Sequence, residues 1–217
     1  MTARIDKILA VGAAIMLCIS SYFCGVRVIN GNDTSFAEIL LFHREIVSQF
    51  SYEMIIGLEY GDWYYFLMPI CISVSAIPIL CRELRTGYYK FVKLRSGDRD
   101  FVRSTLITNM LAGLMVFILS TGIFRFSIFL ILGGKLGEVM FFQPNVIAYN
   151  ILYLLMISGI SILVSVITTD VYLSVTASFM INYMIYSRDF KCWEIAAVTL
   201  ILYFAAAQIL KKRWLKC

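Results

Sequence analysis

The sequence predicts an all-α integral membrane protein of about six transmembrane helices with both termini cytoplasmic. Three observations carry that expectation. The 217 residues are 60% hydrophobic, with mean hydropathy +0.82, whereas soluble domains sit near 45–50% apolar. The apolar residues come in blocks near the roughly 20 residues that a helix needs to cross a bilayer. The cations collect in segments that six crossings place on one side.

The spans are read at 8–29, 63–81, 104–124, 146–168, 171–186 and 192–210. Arg4 and Lys7 precede the first block, which is too long for the apolar core of a signal peptide. It is therefore read as a retained span, rich in small residues (Gly12, Ala13, Ala14, Ser20, Ser21) that let helices approach closely. Asn30 to Asp33 form a turn signal, after which Thr34 or Ser35 can cap a helix. Phe36, Ile39, Leu40, His43, Ile46, Val47 and Phe50 recur at helical spacing, so 34–58 reads as an external amphipathic helix.

Trp63, Tyr64 and Tyr65 open span two as an interfacial aromatic belt, and Pro69 and Pro78 lie inside it. Arg125 interrupts the apolar stretch that follows 104–124, which reads as a span with a short interfacial extension. Thr169-Asp170 forms a minimal turn between spans four and five. The segments between blocks are shorter than a domain of about 50 residues, so the chain is one transmembrane domain, 1–217.

Orientation follows from the positive-inside rule. With the N-terminus inside, thirteen of the nineteen Lys and Arg residues fall on the cytoplasmic side. Seven of them are in the loop 82–103: Arg82, Arg85, Lys90, Lys93, Arg95, Arg99 and Arg103. The net charge of +5 thus reads as topology and contact with lipid headgroups rather than nucleic-acid binding.

The sequence offers no catalytic constellation, cofactor motif or metal set. The one histidine, His43, has no HExxH context, and the six cysteines form no CxxC pair. Cys18, Cys24 and Cys71 read as buried reduced thiols. No GxxxxGK[ST] loop is present. Acidic residues are missing from the middle of every block, which disfavours an ion-coupled transporter. Asn150, Tyr153 and Asn182 could form a polar intramembrane site, but fit interhelical hydrogen bonding better.

The basic loop is patterned beyond what topology needs. Tyr88, Tyr89, Phe91, Val92 and Phe101 alternate with the charges, and Gly87 and Ser96-Gly97 divide the loop into short pieces. This predicts a short charged helix bounded by turns. With Glu83 and Gly87 after span two, then Leu94-Arg95-Ser96, then Arg99 to Arg103 leading into span three, the loop resembles that of ABC-2 type transporter permeases.

That resemblance implies a bacterial multi-pass cell-membrane subunit. It implies that Glu83, Arg85, Gly87, Tyr88, Lys93, Arg95, Ser96 and Arg99 form a coupling segment for a cytosolic ABC ATPase. It further implies a second permease copy or homologue as partner, and ATP and Mg held by the ATPase rather than by this chain. Only Met1 to Lys7 precede span one and only Ser187 to Lys191 separate spans five and six, which suits compact exporters of peptides, drugs or lipid-like molecules. The alternative is a non-transport membrane accessory, immunity or sensor protein.

Overall fold

The computed structural model describes residues 6–23, 25–27, 33–35, 37, 59–131, 144–186 and 191–212. Seven helices and one small ribbon make up the described elements: α1 (Lys7–Tyr22), β1 (Gly25–Arg27), β2 (Asp33–Ser35), α2 (Asp62–Thr86), α3 (Tyr88–Ser96), α4 (Asp98–Ile131), α5 (Pro144–Thr168), α6 (Val171–Tyr186) and α7 (Cys192–Lys212). Four of them, α2, α4, α5 and α7, are long and apolar enough to cross a membrane. The apolar helices α1 and α6 have 16 residues each, about 24 Å of rise.

Two local expectations change. The apolar block expected to be helical to residue 29 leaves helix after Tyr22, and Gly25–Arg27 pairs antiparallel with Asp33–Ser35. Thr34 and Ser35 are therefore extended rather than helix caps: Val26 stands opposite Thr34 in the ladder, and both are β-branched. The amphipathic helix expected over 34–58, with His43, otherwise lies outside the described residues.

The second change is at Arg125. The chain does not break there, because α4 runs unbroken from Asp98 to Ile131. The charge is tolerated because it is paired inside the protein. Arg125 donates from Nε and Nη2 to Glu59 Oε2 at 3.0 and 2.7 Å, and the two residues are only 3% and 1% exposed. Ser21 of α1 donates to the Glu59 carbonyl at 2.9 Å, and Tyr60 and Thr121 place their hydroxyls 3.4 Å apart beside the pair. The start of α2, the end of α1 and α4 thus meet around one carboxylate.

The bundle has the polarity of a protein in lipid. Ile15, Met16, Ile19, Ile118, Leu130, Leu200, Ile201 and Phe204 face outward. On α6 the buried residues are Ser174, Ser178 and Asn182, one helical turn apart, while Tyr172, Leu173, Met180, Tyr183 and Met184 are exposed. Helices in lipid gain little from burying apolar faces against one another, so small and polar residues take over the interface. Ser73 of α2 lies 2.6 Å from Ser161 of α5 and 3.1 Å from Ser178 of α6, hydroxyl to hydroxyl.

A further contact explains how a proline sits inside α2. Pro69 has no N–H to give to the carbonyl of Tyr65, one turn earlier. Asn182 of α6 supplies the missing donor, Nδ2 to Tyr65 O at 3.0 Å. Its own Oδ1 accepts from Tyr153 of α5 at 2.6 Å, and the Tyr65 hydroxyl donates to Asn150 Oδ1 at 2.7 Å. α2 stays helical through Pro69 because a neighbouring helix completes its ladder.

Two outcomes follow. Asn182→Leu lowers stability in detergent by about 1–2 kcal/mol, and the loss shrinks in a Pro69→Ala background, where the restored backbone N–H takes the Tyr65 carbonyl. Equal losses in the two backgrounds, measured by thermal unfolding, contradict this account. Removing either partner of the buried ion pair, as Glu59→Ala or Arg125→Ala, costs about 3–5 kcal/mol. The joint Glu59→Leu, Arg125→Met replacement recovers most of it, as read from the same unfolding transitions.

Candidate partner-docking helix

The segment singled out in the sequence folds as a helix–turn–helix–turn–helix unit at one end of the bundle. Gly87 closes α2 in the left-handed region (φ 71°), and Gly97 separates α3 from α4 in the same way (φ 82°). Only glycine enters that region without cost. The two breaks set α3 off from its neighbours, so that nine residues carrying three cations and no acid form a helix of their own.

One side of α3 anchors it. Tyr89 is buried and Val92 half-buried against Leu84 of α2 and Phe101 and Val102 of α4, within a cluster that also holds Val166 of α5 and Leu210 of α7. The other side is open. Tyr88, Phe91 and Leu94 recur every three residues and are exposed, Phe91 by 72% and Leu94 by 86%. Lys90, Arg95, Arg99 and Arg103 are exposed around them, as are Arg82 and Arg85 at the end of α2.

The structure places the sequence-predicted residues as follows. Glu83 is half-buried and lines a void of about 10 Å³ between α2 and α4 with Ala76, Thr105, Thr108 and Asn109, about the space of one water. Asn109 Oδ1 is buried there without a hydrogen-bond partner. Arg85 reaches Asp170 Oδ2 at 3.3 Å. Asp170 in turn caps α6, accepting from the backbone N–H of Tyr172 and Leu173 at 2.8 and 3.2 Å, after Thr169 turns the chain at φ 57°.

The α5–α6 turn and the end of α2 that leads into α3 are therefore neighbours at one end. Tyr88 and Arg95 are on the outer surface of α3, and Arg99 is on the first turn of α4. Lys93 and Ser96 lie in α3, and only their backbone is described. A cleft of about 490 Å³ opens between Ile79, Arg82, Glu83 and Thr86 of α2 and Tyr88 and Phe91 of α3.

Sequence reasoning missed two features of charge. Arg85 has a partner eighty-five residues away, and Glu59 is sequestered by Arg125. Burial pushes the Glu59 carboxyl up from its ordinary value, and the adjacent Arg125 guanidinium opposes that rise. An arginine alone in an apolar run demands a carboxylate, and that was the readable signal. The polar residues Asn150, Tyr153 and Asn182 are brought together, engaged with Tyr65 and with one another.

Against family models, curated proteins and solved structures, the chain gives no match.

The two glycines make a clean test of the unit. A Cβ at Gly87 or Gly97 meets nothing within 4 Å, so Gly→Ala there is opposed by backbone conformation alone. Each substitution costs about 1–2 kcal/mol. Amide hydrogen exchange then rises in 88–96 while α5 and α7 stay protected; uniform loosening of the bundle contradicts a hinge-bounded helix.

Proposed function

We propose that this chain is the permease subunit of a bacterial ABC exporter, crossing the cell membrane six times with both termini cytoplasmic. ATP and Mg belong to a separate cytosolic ATPase, and a second permease subunit, identical or homologous, completes the transporter. The cargo class that suits its apolar, aromatic surface is a peptide, drug or lipid-like molecule.

One observation carries this reading. α3 is held by one side on the bundle and presents Tyr88, Phe91 and Leu94 among cations on the other, between two left-handed glycines. An exposed aromatic and aliphatic row ringed by charge is what a helix needs to seat in a groove of a partner. The shared apolar cluster under Tyr89 and Leu210 ties that helix to α2, α4, α5 and α7, and the Arg85–Asp170 pair ties the end of α2 to the start of α6. A push on α3 would reach these five helices.

Six crossings require α1 and α6 to span at about 24 Å, which a bilayer accommodates by local thinning at modest cost. The polar stripe of α6 and the exposed apolar residues on both helices support that assignment.

Affinity purification of the full chain from native membranes is expected to recover an ABC-type ATPase subunit. Phe91→Glu with Leu94→Glu is expected to lower the recovered ATPase by tenfold or more (about 1.4 kcal/mol or above), with the bundle's unfolding temperature unchanged. Purification that brings down no ATPase, or a double variant that binds it undiminished, refutes the assignment and leaves an accessory or immunity protein as the reading.

A further inference from the structure

At the end of α2 opposite α3, a cleft of about 430 Å³ opens between the first turn of α2 and the last turns of α6. It is lined by Trp63, Phe66, Tyr183 and Tyr186, with Asp62 and Asn182 completing it. The four rings are all exposed, while Asn182 is buried. Asp62 Oδ1 accepts a hydrogen bond from the Tyr186 hydroxyl, which ties the carboxylate to the aromatic wall. Trp63 packs edge-on to Phe66 with ring centroids 5.9 Å apart, and Phe66 edge-on to Phe179 at 4.9 Å, so the α2 side of the wall is braced from behind.

Aromatic residues at a membrane boundary ordinarily form a belt around the protein. Here four of them, from two helices, converge on one concavity. Among the described residues the lining carries one negative charge and no positive one. Ring faces attract cations, and quaternary ammonium groups are held in this way by aromatic cages. A small inorganic cation is a poor fit, since it wants six or more oxygen ligands and the lining offers one carboxylate. Beside the cleft, the outer face of α6 exposes Met180 and Met184 as apolar ground for a hydrocarbon chain.

We propose that this cleft binds an amphipathic organic monocation of the quaternary ammonium class. Its head lies against Asp62 and the four rings, and its tail lies along α6. The binding is a property of this chain alone and stands whether or not an ATPase docks on α3. The same head chemistry is offered by a choline-headgroup lipid and by a free cationic amphiphile.

The test uses the full chain with Trp193→Phe and Trp214→Phe, so that Trp63 is the one remaining indole, reconstituted in nanodiscs of uncharged galactolipid. Decyltrimethylammonium is expected to shift Trp63 emission saturably. Asp62→Asn is expected to weaken binding about tenfold, and decanol to give no saturable shift. In phosphatidylcholine nanodiscs, a shift already present that the probe cannot extend identifies the lipid headgroup as occupant. An unchanged probe titration there identifies the free cation. A decanol response equal to that of the cation, or an Asp62→Asn titration that overlays the parent, overturns the proposal.

Discussion

The contact on which the arrangement of helices turns is the hydrogen bond from Asn182 to the Tyr65 carbonyl. Pro69 leaves that carbonyl open, and a carbonyl facing hydrocarbon without a donor costs several kcal/mol. Bringing in an asparagine from another helix removes the cost and fixes the place, height and rotation of α6 against α2. Asn182 then has one remaining acceptor, which Tyr153 of α5 fills. Ser178, one turn away on α6, finds Ser73 of α2, which also meets Ser161 of α5. Polar contacts thus tie α2, α5 and α6 together.

This reverses the usual relation between burial and polarity. In water, α6 with Ser174, Ser178 and Asn182 inside and Tyr172, Met180 and Met184 outside would be turned the wrong way round. In lipid the outward methionines and tyrosines are already in their preferred medium, so only the polar stripe discriminates one packing from another. The same logic governs the Glu59–Arg125 pair. Separately, either charge would resist burial; together, with the Ser21 hydroxyl on the Glu59 backbone, they join the ends of α1 and α4 to the entrance of α2.

Much of this was legible in the sequence, and for definite reasons. Apolar blocks follow from local hydropathy, and six observed helices overlap them, four of these long and apolar enough to cross a membrane, while α1 stops at Tyr22 and α4 overruns its block at both ends. The breaks at Gly87 and Gly97 were legible because glycine is the residue that takes positive φ readily. Other features depend on pairings distant in sequence. Arg125 reads as an interruption until Glu59, sixty-six residues earlier, is seen beside it. Thr34 reads as a cap until Val26 is seen across the ladder. The role of Asn182 as the donor that Pro69 lacks needs a register between α2 and α6, and no residue of either helix states it alone. Likewise Trp63 reads as a belt residue, and becomes the wall of a cleft only when Tyr183 comes to face it.

One helix runs through all of these features. α2 begins at Asp62 beside the aromatic cleft, passes Ser73 and the two prolines, and ends at Arg85 and Gly87, where α3 turns off. Its 25 residues rise about 37 Å. Asn182 belongs both to the cleft and to the repair of α2 at Pro69. The cleft thus adjoins the turn of α2 at which another helix supplies the donor that Pro69 lacks. α3 adjoins the opposite end of the same helix, beside Gly87 and the Arg85–Asp170 pair. Since α6 is capped by Asp170 at one end and contributes Asn182 near the other, α2 and α6 are joined at both ends. The Ser73–Ser178 hydroxyl contact, at 3.1 Å, lies between those two attachments and holds the two helices together at mid-length.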